Sequence, residues 1–188
     1  MGVIENRTNC IYKIATGSRK VRNLLTPVGA IFFFSFITLI ILASLWLDRM
    51  LGFTGFLPES WSIYVGAPVM VIGLFLMFWS VSIFALSKGT PVPINPPPSL
   101  VTKGPYGYIR NPMLSGLFIA MFGLGLRLNS IALPFILTPL FILLNVYEIR
   151  NIEEPELERR LGNLYIEYKN RVPRFFPSFK ARAVDKHT

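Results

Sequence analysis

Long runs without a single charged residue constrain this chain more than any other feature. The clearest is Pro27–Leu47, PVGAIFFFSFITLIILASLWL, and a second covers about Ser62–Leu86. Each is close to the roughly 20 residues that an α-helix needs to cross a hydrocarbon core about 30 Å thick. Inside lipid a segment must satisfy its own backbone N–H and C=O groups, so each run is expected to be a membrane-spanning helix. Trp46 and Trp61 stand at the edges of these runs, where an amphipathic ring suits the headgroup boundary.

Two shorter apolar blocks follow, Met113–Leu126 and Ser130–Tyr147, separated only by Arg127, Leu128 and Asn129. So tight a break makes them a helical hairpin. The third block is short for a bilayer and is expected to extend back into the Asn111 region. The expected fold is an all-α integral membrane protein with about four transmembrane helices, a C-terminal helical hairpin and a cytoplasmic amphipathic helix. Gly66, Gly73, Gly116, Gly123 and Gly125 lie inside apolar spans and read as close helix contacts; Pro68 permits a kink. The Phe32–Phe34 run reads as a lipid-facing or packed helix surface.

Composition agrees. With 52% hydrophobic and 15% charged residues and a mean hydropathy of +0.50, a 188-residue soluble domain would lack surface charge. The net charge of +9 then points to an anionic leaflet or an anionic substrate at that surface, and not to nucleic acid. Cys10 is the single cysteine, so an intramolecular disulfide and a cysteine-cluster metal site are excluded. The single histidine, His187, sits in the polar tail and gives little basis for a metal enzyme or a Ser-His or Cys-His pair.

The basic residues also set an orientation. Residues 1–26 hold five Lys/Arg, the 87–111 connection holds three, and the tail from Arg150 holds nine; the other two connections hold only Arg49 and Arg127. This asymmetry places both termini and the long connection in the cytoplasm. The membrane is the cytoplasmic one in a bacterium or the endoplasmic reticulum in a eukaryote. Residues 1–26 lack the layout of a cleavable signal peptide. The organisation is thus an N-terminal segment (1–26), two spans (27–86), a site-bearing region (87–177) and a basic tail (178–188).

Chemistry is concentrated in two polar stretches. The proline-rich TPVPINPPPS cannot be helix, and it leads into Thr102–Leu114, TKGPYGYIRNPML. After the last block comes YEIRNIEEPELERRLGNLYIEYKNRVPRFFP. Here Glu156–Tyr168 reads as one amphipathic helix with Leu157, Leu161, Leu164, Ile166 and Tyr168 on its less polar side. Arg171–Pro177 reads as an interfacial end or a cap over a site. The hairpin brings its two ends together, and with them Tyr106, Arg110 and Asn111 towards Arg150, Glu153 and Glu154. Two readings stand for the acidic pair: functional carboxylates, which are costly beside a membrane unless paired or used, or a solvated salt-bridge set with Arg150, Arg159 or Arg110.

GPYGYIRNPML followed by EIRNIEEPELERRLGNLYIEYKNRVPRFFP resembles the isoprenylcysteine carboxyl methyltransferase and phospholipid methyltransferase superfamily. Its members carry G-x-Y-x-x-x-R-H-P-x-Y, a hairpin, an E-E pair and an F-G-x-x-Y-x-x-Y-x-x-x-V-P-R-x-x-P tail. The likeness covers about Leu100 to Pro177. It implies a membrane enzyme that binds S-adenosylmethionine without a Rossmann domain and methylates a lipophilic, lipid-modified or membrane-associated acceptor, with membrane lipids as surroundings. By that resemblance Leu100, Val101, Tyr106, Asn111, Pro112, Met113 and Leu114 would contact the cofactor. Glu154, with Glu153, would receive its amino or ribose groups. Arg150, with Arg110 and Asn111, would serve the reaction, Arg150 by holding an anionic acceptor.

Two positions depart from the pattern: Asn111 stands where the family has histidine, and Leu114 where it has an aromatic residue. Asn hydrogen-bonds but does not titrate. Two alternatives therefore accompany the methyltransferase: an NADPH-dependent reductase of the sterol reductase type, and a non-catalytic scaffold descended from methyltransferases.

Overall fold

A computed structural model describes residues 2–90 and 95–177. The tail read as basic, with His187, and Pro91–Ile94 of the proline-rich stretch lie outside the described residues. Those described are helices and connections: α1 Gly2–Ala15, α2 Arg19–Met50, α3 Glu59–Leu86, α4 Pro112–Arg127, α5 Thr138–Glu148, α6 Glu154–Leu161 and α7 Asn163–Arg171. Wider π-helical turns precede and follow α5, at Leu133–Leu137 and Ile149–Glu153. Three runs are long and apolar enough to cross a membrane: α2, α3 and Leu133–Leu161. α4, at 16 residues, spans about 24 Å.

The expected backward extension of α4 stops at Pro112, which is buried. A proline at the first helical position loses nothing by lacking an N–H, and it disfavours helix in the residue before it. Helix α1 was not expected from residues 1–26. The single helix expected over Glu156–Tyr168 is two, because Gly162 adopts φ +59 between α6 and α7.

The chain divides into two compact units. One comprises Gly29–Met77 and Leu114–Tyr147. Here α3 and α4 run antiparallel with backbones in contact. A Cβ added to Gly116 would lie 2.6 Å from the Met77 nitrogen and 2.7 Å from the Gly73 oxygen; Gly123 meets Met70 in the same way, and Gly66 meets Arg127. Lipid competes equally for apolar side chains, so close packing through small residues is what holds such a pair. Outward-facing side chains such as Phe32, Phe34, Phe75 and Leu143 are exposed, as a lipid-facing surface requires.

The break between α4 and the next helix is built by side chains. Asn129, at φ +53, accepts from the Phe56 and Leu57 nitrogens, both at 3.0 Å, and donates to the Leu57 oxygen at 2.8 Å. Asp48 is half-buried and accepts from the Ile131 and Ala132 nitrogens at 3.2 and 2.8 Å. A carboxylate there satisfies the orphan donors of a helix start and favours its dipole. The second unit, drawn from the described parts of Met1–Val28, Phe78–Met113 and Glu148–Thr188, carries the candidate site.

Candidate functional site

The motif GPYGYIR begins as a single 3₁₀ turn, Gly104–Gly107. Gly104 sits at φ +57, a conformation that favours glycine, and a Cβ there would push the tip of the Ile83 side chain, 2.9 Å away, aside. The turn buries Tyr106, whose ring packs on Phe84 with centroids 4.9 Å apart.

Helix α7 and the following strap hold this turn from the other side. Tyr165, Tyr168 and Val172 are buried together, with Leu100, Leu157 and Leu161 against them. Spacings of three and four residues put these side chains on one helical face. Leu164 and Ile166, expected on the less polar side, are exposed. The Tyr168 hydroxyl donates to the Tyr106 carbonyl at 2.7 Å. Beyond Val172, the Pro173 and Arg174 carbonyls accept from the Arg110 and Asn111 nitrogens at 2.8 and 3.1 Å.

Burial pushes the Tyr165 phenol up to about 12 and raises Tyr106 and Tyr168 well above the usual range. All three therefore remain neutral in any physiological solution. Tyr168→Phe should then cost about 1 kcal/mol, by stranding the Tyr106 carbonyl. Thermal unfolding in detergent, compared with the exposed Tyr108→Phe, checks this.

At the centre is Glu154, 3% exposed. Arg110 Nη1 donates to its Oε1 at 2.8 Å, Arg174 binds both oxygens at 3.0 and 2.9 Å, and Lys169 Nζ lies 3.4 Å away. Lys169 also donates to Glu158 at 2.7 Å, which holds its pKa above the usual lysine value. Arg110 Nη1 lies 3.4 Å from the Tyr165 hydroxyl, while its Nε is buried with no partner.

A second buried acid, Glu156, pairs with Arg160 at 2.8 Å, and Arg160 reaches the Pro97 carbonyl at 3.3 Å. That contact ties the proline-rich stretch to α6 a few residues before Leu100 and the buried Val101.

Tyr106, Arg110 and Glu154 are thus brought into one cluster. Asn111 joins it by its backbone; Pro112 is buried and Met113 half-buried at the start of α4, and Leu114 belongs to the other unit. Glu153 and Arg150 share the π-helical turn; Glu153 is half-buried and Arg150 exposed. Among the described residues neither forms an ion pair, so the expected salt-bridge set exists only through Arg110. Sequence reasoning gave no role to Arg174, Lys169, Tyr165, Glu156 or Arg160. The Tyr-x-x-Tyr-x-x-x-Val spacing was the available signal for the first layer of these.

The model of the phospholipid methyltransferase family matches residues 61–163, more than half the chain, and this stretch includes both Arg110 and Glu154. The chain belongs to the phospholipid methyltransferase family. The family match begins near the start of α3, so α1 and α2 fall before it. A relative, the nickel-cobalt-cadmium resistance protein NccN of Alcaligenes xylosoxydans xylosoxydans, is 38% identical over 78 residues. That similarity covers 42% of this chain and 36% of the relative, so the chain spans about a third of its length. No solved structure matches this phospholipid methyltransferase family member.

Proposed function

We infer that the chain is a membrane-embedded methyltransferase that uses S-adenosylmethionine on a lipophilic or membrane-associated acceptor. The observation that carries this reading is the 2.8 Å contact of Arg110 with Glu154. It joins the two polar elements within the family-matched stretch and places them in a buried setting at the end of apolar helices.

The residues present suit the cofactor's functional groups. Arg110 Nε is a buried N–H without a partner, suited to a carboxylate oxygen. Glu153 is a carboxylate without an ion pair among the described residues, suited to an ammonium or to ribose hydroxyls. Tyr106, Leu100 and Val101 offer an aromatic and apolar wall, with Asn111, Pro112 and Met113 completing the proposed contact set within this unit. Glu154 has both oxygens engaged by cations, so in this reading it positions Arg110. When bound, S-adenosylmethionine supplies a methyl group on a positively charged sulfonium. The chain's own contribution is to orient the partners, hold an anionic acceptor through the exposed Arg150, and keep water away. Asn111 contributes hydrogen bonds there and no proton transfer. The distribution of basic residues supports both termini on the cytoplasmic side.

Arg150→Ala separates acceptor binding from cofactor binding. Turnover should fall by about 100-fold while S-adenosylmethionine affinity changes little; the reverse pattern removes Arg150 from the acceptor side. The function itself is tested by incubating the detergent-purified protein with methyl-labelled S-adenosylmethionine and a total lipid extract. Label above the boiled-protein control in the organic phase is expected. Label at control level, with lipids and isoprenylated peptides alike, overturns the reading.

A further inference from the structure

Helix α1 lies outside the family-matched stretch, yet it packs on the element that carries Arg150 and Glu153. It contacts both the π-helical turn Ile149–Glu153 and α6. Its less exposed positions include Thr8, Ile11, Tyr12 and Ala15, which share one face at spacings of three and four residues. One side chain of α6 engages that helix specifically. Arg159 donates to Asn9 Oδ1, and its guanidinium lies 4.5 Å over the Tyr12 ring. Arg159 takes no part in the Glu154 cluster, and it is exposed.

The turn that α1 packs on lies within one continuous helical run, Leu133–Leu161, between α5 and α6. π-helical geometry is rare and tends to mark functional places, and the packing of α1 supports this turn from outside the run. We propose that α1 is a positioning helix for the site: latched by Arg159 through Asn9 and Tyr12, it holds Ile149–Glu153 and so fixes where Arg150 and Glu153 stand. The inference rests on reading that turn as part of the cofactor and acceptor site. An exposed hydrogen bond and an exposed cation–π contact are each weak, so removing their shared partner shifts α1 towards an undocked population without unfolding the protein.

The full chain offers its own reporter. Cys10 is the single cysteine, lies on α1 and is exposed, so a nitroxide attached there reads the docking of the helix. Arg159→Ala should mobilise the nitroxide, speed hydrogen exchange at the amides of 149–153, and weaken S-adenosylmethionine binding about tenfold. Arg159→Lys keeps a cation over Tyr12 and should restore part of all three. A nitroxide still immobile in Arg159→Ala overturns the latch. A mobile nitroxide with unchanged exchange at 149–153 overturns the positioning role. Wild-type protein that binds no S-adenosylmethionine overturns the reading of the site instead, and the nitroxide and exchange measurements still decide the proposal about α1.

Discussion

Glu154→Gln should lower the unfolding free energy by about 3–5 kcal/mol, the range found when one partner of a buried ion pair is removed. The magnitude follows from what the carboxylate neutralises. Glu154 is 3% exposed, and the Arg110 side chain that binds it is 10% exposed. With the charge gone, Arg110 and Arg174 face one another around an amide whose oxygen serves only part of their donor set, and the amide nitrogen adds donors of its own.

The consequence reaches beyond the local pair. Arg110 and Arg174 also carry the backbone bonds that tie the strap after α7 to the start of α4, so the whole cluster should loosen. Glu167→Gln is the control: its pair with Arg171 is 3.8 Å apart and more than 60% exposed on both sides, and such pairs contribute little. Thermal unfolding by tryptophan fluorescence should show a large shift for the first and almost none for the second. Equal shifts would show that Glu154 is not the centre of the cluster.

Gly116→Val should be comparably damaging in the other unit, for a different reason. The added Cβ would meet the Met77 nitrogen and the Gly73 oxygen. Both are backbone atoms, which cannot rotate aside. α3 and α4 must then separate along the stripe where Gly73 and Gly123 also make close contacts. Overpacking of a well-packed core typically costs about 1–3 kcal/mol. This interface belongs at or above the top of that range, because parting the helices forfeits contacts on both sides of the substituted residue and lipid offers no hydrophobic penalty for leaving them apart. A lower thermal midpoint and loss of monodispersity in detergent are expected. A wild-type melting curve would mean that the helices do not rely on that approach.

The long apolar helices were legible because a bilayer makes the requirement almost one-dimensional: enough uncharged residues in a row. The meeting of Arg110 with Glu154 was legible for a related reason, since a tight hairpin brings its own ends together. The break at Gly162 was not. The apolar residues of Glu156–Tyr168 continue at helical spacing through it, and only the packing of Tyr165, Tyr168 and Val172 against Leu100, Leu157 and Leu161 shows why the chain turns there.

Arg174 stands at the arginine of the V-P-R pattern without a role being assigned to it, and Lys169 was hidden among interfacial charges. Their acidic partner lies 15 to 20 residues away across that turn, and nothing local distinguishes a buried cation from a solvated one. Asp48 and Asn129 act over a similar range: each satisfies backbone donors more than 70 residues away. Helix α1 escaped notice because its polar composition lacks a strong apolar stripe, and its contacts with Arg159 join residues about 150 positions apart.

Titration of the detergent-purified full chain with S-adenosylmethionine, alongside NADPH, tests the central claim most directly. The wild type should bind S-adenosylmethionine at one site, Arg110→Met and Glu153→Gln should each weaken that binding about tenfold or more, and NADPH should give no signal. Binding of NADPH alone would make the chain a reductase, and binding of neither ligand by a folded, monodisperse wild type would contradict the enzyme reading altogether.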